Sequence, residues 1–216
     1  MRQERVEEYL GAVYRLRSDA DTPLPLSQLT EYFGFSPVSV HEMVQKLEEG
    51  GWVQYHPYRG VTLTQTGTDA ALALLRRHRL WERFLSDVLK LPWDEAHTVA
   101  GNLEHAAPEA VTERLSAFLG EPAACPHGGP IPPQATSGLE QCLGSLGVGV
   151  EARVTRIAPE APDLLRRVGE LSMTPGSLVR VTAQTAEATG VALLAEGGRE
   201  AAVQAADARA VWLEIV

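Results

Sequence analysis

Only two cysteines occur in 216 residues, Cys125 and Cys142, and they form no CxxC pair. A disulfide scaffold is thereby excluded, and a reducing compartment fits. Basic side chains are in the minority, 19 against 28 acidic, giving a net charge of −9. Any binding to nucleic acid must therefore use a local patch, or follow neutralisation of carboxylates. No apolar run approaches the ~20 residues of a membrane span. The opening MRQERVEEYLGAVY is charged and lacks an apolar signal core, so a soluble cytoplasmic protein without a membrane partner is expected. There is no HExxH, no evident nucleophile–base set, no glycine-rich phosphate loop and no internal repeat, which argues against an enzyme.

What is present is a globular composition, 44% apolar and 22% charged, long enough for more than one small domain. Val6, Tyr9, Leu10, Val13 and Leu16 recur at helical spacing and predict a first amphipathic helix ending near Ser18. A short helix over Ser27–Phe33 leads to a turn at Gly34-Phe35. Ser36-Pro37 then opens a helix with Val40, Met43, Val44 and Leu47 on one face, closed by Gly50-Gly51. Two short alternating runs, Trp52–Tyr55 and Val61–Leu63, flank His56-Pro57-Tyr58-Arg59-Gly60 and read as a hairpin. Together these elements predict a winged helix-turn-helix; the competing reading is an ordinary three-helix domain with a hairpin.

The stretch from Arg77 to His105 reads as two amphipathic helices broken at Leu91-Pro92, with Pro92 as a first helical residue and the second helix running through His105. It gathers three of the six histidines. His78 and Glu82 stand at i and i+4, and His97 and Glu104 are seven apart, so each pair shares a face. Imidazoles and carboxylates brought together by two packed helices can hold a divalent cation, although each side chain alone could be a solvated surface group. A further helix follows over Glu109–Leu119. Gly120–Thr136 is dense in Pro and Gly and reads as an ordered loop or linker. Cys125 and His127 within it are ligands in principle, but one of each among prolines favours loop structure. From Val148 onward short strands alternate with turns, over Val150–Ile157, Leu178–Ala183, Val191–Leu194, Ala201–Gln204 and Val211–Ile215. With one helix near Asp163–Leu171 among them, they predict a small β-barrel.

FSPVSVHEMVQKLEEGGWVQYHPYRGVTLTQTG, RRHRLWERFL, AHTVAGNLEH and CPHGGPIP together resemble the diphtheria-toxin-repressor family of metal-dependent regulators, nearest its manganese-transport-regulator branch. The fold class this implies is mainly α with a small β domain. A winged helix-turn-helix over 1–72 precedes a helical metal-binding and dimerisation domain over 73–143, and an SH3-like (FeoA-type) β-barrel follows over 148–216. The resemblance implies a homodimer that binds a palindromic double-stranded DNA operator. The corepressor it implies is Mn(II), or alternatively Fe(II), with two ions per chain. It places an ancillary site at His78, Glu82 and His97, completed by Glu160 and Asp163 from the β domain. It places a primary site at Glu8, Gly101, Glu104 and His105.

Here the sequence departs from the pattern. Gly101 stands where iron regulators carry cysteine and manganese regulators a carboxylate, and Gly11 where the manganese branch has a second N-terminal carboxylate. A carbonyl of Gly101, water, Asn102 or Glu7 are the available stand-ins. Metal bridging Glu8 to Glu104 and His105 would fix the spacing of two recognition helices, and two dications would shift the charge from −9 to −5. Ser36, Ser39 and Arg59 are the expected phosphate contacts; Val38, His41 and Glu42 are the expected base contacts. Two other classes stay open: a metallohydrolase on the same His/Glu cluster, and a DNA-binding regulator without metal control.

Overall fold

The computed structural model describes residues 3–134 and 139–216, so Ala135 and Thr136 of the expected Pro/Gly-rich loop lie outside the described residues. Two compact units emerge, Met1–Arg77 and His78–Val216.

In the first unit, α1 (Gln3–Leu16) buries Tyr9, Leu10, Ala12 and Val13. It stops at Leu16 because Asp19 captures the following turn, its carboxylate accepting from the N–H groups of Asp21 and Thr22 at 2.9 and 2.7 Å. α2 (Leu26–Phe33) ends at Gly34, whose φ of 66° closes the turn into the next helix. α3 (Pro37–Glu49) opens as expected, with Ser36 Oγ accepting from the Ser39 N–H at 3.2 Å and Pro37 in the first turn. Its inner face, Val40, Met43, Val44 and Leu47, joins Leu10, Val13 and Leu29 in one core. Each such side chain contributes about 1.5–3 kcal/mol by leaving water. β1 (Val53–His56) and β2 (Gly60–Leu63) pair antiparallel from Val53↔Leu63 to His56↔Gly60 and form the wing. A bridge from Leu24 to Val61 ties the wing back to the segment before α2.

α4 (Gln65–Arg83) runs on into a π-helical turn, Phe84–Val88. α5 (Trp93–Leu103) is capped by Pro92, so the helix begins one residue later than expected. It also ends two residues early: Glu104 caps it, and His105 sits in the turn closed by Ala106 N–H on the Leu103 carbonyl at 3.1 Å. α6 spans Glu109–Phe118.

The β domain is an antiparallel sheet in the order β3-β8-β4-β5-β6-β7. Its strands are β3 (Gln141–Cys142), β4 (Glu151–Ile157), β5 (Leu178–Gln184), β6 (Ala188–Leu193), β7 (Arg199–Gln204) and β8 (Val211–Ile215). α7 (Pro162–Glu170) follows β4 and α8 (Ala205–Ala208) follows β7. Val154, Ile157, Leu165, Val168, Val181, Val191 and Leu213 fill the core. Two irregularities, at Val154/Arg156 and Val181/Ala183, bend the sheet. The fold class is as expected: helical with a winged helix-turn-helix, a helical middle and a small β domain.

Contacts within the second unit set the position of the β domain against α4 and α5. Trp93 packs on the β-domain core. It can do so because α7 has Gly169 there, where a Cβ would lie 2.8 Å from the indole nitrogen. The loop over 120–133 is pressed onto β4: Ile157 N–H donates to the His127 carbonyl at 2.9 Å, and a Cβ on Gly128 would meet the Thr155 carbonyl at 1.9 Å. Arg83 on α4 donates to the Ala124 carbonyl at 2.7 Å, and Arg79 donates to the Pro130 carbonyl.

Candidate metal centre

α4 presents His78 and Glu82 one turn apart, and α5 presents His97 opposite them. Glu82 is fully buried. Its Oε1 is approached by three imidazoles: His97 Nδ1 at 2.7 Å, His78 Nε2 at 2.9 Å and His127 Nδ1 at 3.3 Å. His78 Nε2 and His97 Nδ1 are only 3.1 Å apart, so their donor atoms aim at the same volume. His127 Nε2 lies 3.2 Å from the Trp93 carbonyl, which can only accept. That nitrogen therefore carries a proton and leaves Nδ1 facing Glu82, an orientation that metal-ligating histidines commonly owe to such a partner. Cys125 Sγ is 3.7 Å from His127 Nδ1 and 3.8 Å from Glu160 Oε1, and Arg79 lies 3.7 Å from the same carboxylate oxygen.

Electrostatics follow from this packing. Burial alone would lower the His78 imidazole, but the charge of Glu82 and the contacts of Glu104 and Glu82 outweigh it and push it up to about 10. Burial would raise Glu82, yet His78, His127 and His97 hold it well below the usual carboxylate range. Burial, then Glu82 and Glu160, push the Cys125 thiol well up. For His127, burial works downward and Glu82 upward, and the upward pull wins.

The arrangement fits a divalent cation. Glu82 Oε2 is buried without a hydrogen-bond partner among the described residues, which costs about 1–3 kcal/mol if nothing satisfies it. Two donor groups overlap on Glu82, each with its ligand atoms within 4.8 Å: His78, Glu82, His97 and Glu160; and Glu82, Cys125 and His127. The first is an imidazole–carboxylate set suited to Mn(II) or Fe(II); the second adds a thiolate and suits softer ions. The sequence leaves Cys125 and His127 as ligands in principle and favours loop structure for them. The Cys-x-His spacing was the one available sign, and tertiary packing carries it to Glu82.

The other expected ligands are placed differently. Asp163 does not join the cluster: its side chain is 81% exposed and pairs with Arg166 at 3.3 Å. It starts the first turn of α7 and faces solvent, whereas Glu160, ahead of that helix, faces inward. Glu104 is buried at the end of α5, with Oε2 2.7 Å from His78 Nδ1, a charge contact lying off hydrogen-bond alignment. His105 Nε2 is 3.4 Å from Glu104 Oε1. Among the described residues, nothing beyond Gly101's chain neighbours and its own helix backbone lies within 4 Å of where a Cβ on Gly101 would stand. In the first unit Glu8 is exposed on α1. Gly11 is buried, with Leu74 3.3 Å from its would-be Cβ, so the packing there favours a small residue. Of the stand-ins, Glu7 is engaged by Arg77 at 3.0 Å, and Asn102 is exposed with its amide 3.4 Å from the Thr98 carbonyl.

The expected DNA contacts all lie on the first unit. Ser36 and Ser39 are exposed at the N-terminus of α3, their hydroxyls 2.9 Å apart. Val38 is 68% exposed, Glu42 is exposed beside it, and Arg59 is exposed on the wing. His41 is half-buried, its ring edge-on to Tyr55 of β1 at 5.4 Å. A shallow groove lined by Thr30, Pro37, Val38, His41 and Glu42 runs along this face.

Comparison with known proteins bears on this geometry. Three family models match in succession: the iron-dependent repressor N-terminal DNA-binding domain over residues 1–61, the iron-dependent repressor metal-binding and dimerisation domain over 64–133, and the FeoA domain over 142–215. The iron-dependent repressor IdeR of Mycobacterium tuberculosis is 31% identical, with 99% of this chain and 98% of that protein covered. Among solved structures, a manganese-dependent transcriptional repressor in complex with manganese superposes with a TM-score of 0.88 at 33% identity, covering 98% of this chain and 100% of that one. The manganese regulator SloR gives 0.76 at 30% identity, covering 98% of both chains. These relatives are transcriptional repressors, not enzymes. Among the described residues, no helix is long and apolar enough to cross a membrane. The chain belongs to the iron-dependent repressor family of metal-dependent, DNA-binding regulators, whose N-terminal domain binds DNA and whose following domain binds metal and dimerises.

Proposed function

We propose that this chain is a Mn(II)-activated repressor that binds a palindromic operator as a homodimer and controls metal homeostasis in the cytoplasm. The observation that carries the metal reading is the buried Glu82 carboxylate, ringed by three imidazoles and with one oxygen unsatisfied. His78, Glu82, His97 and Glu160 would hold the ion, which supplies a fixed positive charge where the chain otherwise depends on protonated histidine. The assignment of Glu8, Gly101, Glu104 and His105 to a second ion, and the division into domains over 1–72, 73–143 and 148–216, rest on the family resemblance. Mn(II) is favoured over Fe(II) because no thiolate stands at position 101 and the ligands are imidazoles and carboxylates. Asp163 is left out, since its carboxylate faces solvent and Arg166. Ser36, Ser39 and Arg59 take phosphate contacts, and Val38, His41 and Glu42 take base contacts; all six side chains lie on the first unit, five of them exposed and His41 half-buried.

The test is fluorescence anisotropy on a duplex selected from a randomised pool with Mn(II)-loaded protein. Binding should rise at least about tenfold when Mn(II) is restored after chelation, the scale of an ordinary allosteric coupling. Equal binding with chelator and with Mn(II) would overturn the corepressor reading in favour of a regulator without metal control. Activation by Fe(II) at lower free concentration than Mn(II) would favour the iron alternative.

A further inference from the structure

The wing carries a residue that neither α3 nor the metal centre accounts for. Tyr58 is fully exposed, at 106% of its reference area, while the other large apolar side chains among the described residues of this unit are at least partly covered. Phe35, for comparison, stacks on Phe33 and lies under Arg5. Tyr58 is also held in a costly backbone conformation. The tip is a turn closed by the Arg59 N–H on the His56 carbonyl at 3.0 Å, with Pro57 second and Tyr58 third. Tyr58 has φ 63°, at the turn position where glycine or asparagine is ordinarily found. The chain keeps an aromatic ring in water where glycine would relax the backbone.

The wing beneath it is stiff. His56 Nε2 and Thr62 Oγ1 are 2.9 Å apart across the strands. Leu24 and Val61 exchange two backbone hydrogen bonds at 2.9 Å, and Gly60 admits no Cβ because the Leu24 carbonyl would lie 2.0 Å away. The wing is also locked to the recognition helix: Glu48 accepts from the Tyr55 N–H at 2.8 Å, and the His41 ring meets Tyr55 edge-on. The tip of the wing therefore sits at a set distance from α3.

We propose that Tyr58 reads DNA: its ring enters the minor groove beside the major groove occupied by α3, and Arg59 contacts the phosphate ridge between them. This rests on the reading that α3 docks in the major groove. A four-residue strand extends about 14 Å, enough to cross one backbone ridge. The minor groove is narrow, about 6 Å wide, and admits a flat ring more readily than a branched side chain. At A·T pairs its floor offers acceptors to the phenol hydroxyl, whereas the guanine amino group at G·C obstructs the ring. The inference thus assigns Tyr58 a preference for A·T pairs flanking each half-site.

The test uses Mn(II)-loaded full-length protein and a duplex selected from a randomised pool by the wild type, read by anisotropy at fixed salt. Tyr58→Ala should bind about tenfold more weakly, within the span of one lost base contact. Changing the flanking A·T pairs to G·C should weaken the wild type about as much and leave Tyr58→Ala unaffected. Inosine·cytosine flanks, which lack the guanine amino group, should restore wild-type binding. Tyr58→Gly separates reading from folding: it relaxes the turn, so its melting temperature should equal or exceed the wild type while its DNA affinity falls like that of Tyr58→Ala. A Tyr58→Gly protein that binds within twofold of wild type and keeps the flank preference overturns the proposal. If the wild type selects no duplex at all, the repressor reading falls, and this inference falls with it.

Discussion

Two carboxylates in the second unit, Glu82 and Glu104, face the same histidine from opposite sides and are built very differently. Glu82 meets His78 Nε2 and is also approached by His97 and His127, donors drawn from α4, α5 and the loop over 120–133. Glu104 meets His78 Nδ1, and the neighbour on its own turn is His105 at 3.4 Å. One turn earlier, Gly101 leaves open space. The first group is assembled from three segments and needs only a cation. The second joins the end of α5 to the shared histidine. Preorganisation of ligands, rather than their number in the sequence, distinguishes the two.

The largest effect should come from breaking the better-built group. Glu82→Gln keeps the shape but removes the charge on which three imidazoles converge. Mn(II) affinity at this site should fall by at least about 100-fold, the upper range for disturbing even a supporting partner of a ligand. Isothermal titration should lose one binding event. Retention of that event with unchanged affinity would place the ion elsewhere.

A smaller effect tests the shared histidine. His78 is raised from an ordinary 6.5 to about 10. Its contribution to the stability of the metal-free chain is therefore fully present below pH 6.5 and lost as pH rises through about 10. Metal must displace that proton, so Mn(II) affinity should rise with pH, by up to about tenfold per unit where one proton is released. Titrations between pH 6.5 and 8.5 in two buffers of different ionisation heat would count the proton. Glu104→Gln should flatten the slope, because it removes one of the charges holding the proton on His78; an unchanged slope would assign the proton to another group.

Smaller again is the change at the overlapping thiol. Cys125→Ser should leave Mn(II) affinity within about threefold, since that ion gains little from sulfur, and should weaken Cd(II) by about tenfold or more. Parallel losses for both ions would mean that Cys125 supports the loop rather than discriminating between metals.

How much of this was legible in the sequence follows local against distant causes. The helix start at Ser36-Pro37, the wing, and strands such as Val211–Ile215 depend on neighbours in the chain, and periodicity exposed them. His78 and Glu82 were legible for the same reason. The end of α1 came two residues early through a side-chain turn at Asp19, and α5 stopped at Leu103, moving His105 off the helix. The π turn after Arg83 left no sign in the pattern of apolar residues. His127 was out of reach because its position depends on Gly128 pressing against β4 and on the Trp93 carbonyl. Glu160 and Asp163 had the right spacing for a pair, but the start of α7 at Pro162 falls between them and turns the second outward.

The finest comparison lies in the two glycines that replace expected carboxylates. Both are in helices, where alanine is normally favoured by about 0.5–1 kcal/mol. At Gly101 no described residue outside its own helix turn lies within 4 Å of a new Cβ, so Gly101→Ala should gain that full amount in urea unfolding. At Gly11 the Cβ would stand 3.3 Å from Leu74 Cδ2, and the crowding should cancel most or all of the gain. The two glycines then have different physical grounds: Gly11 makes room for Leu74, whereas Gly101 answers to no packing demand in its own unit. If Gly101→Ala failed to stabilise the chain, the space beside it would have to be filled in solution. A contact from outside this unit at the end of α5 would then explain the glycine better than the loss of a ligand does.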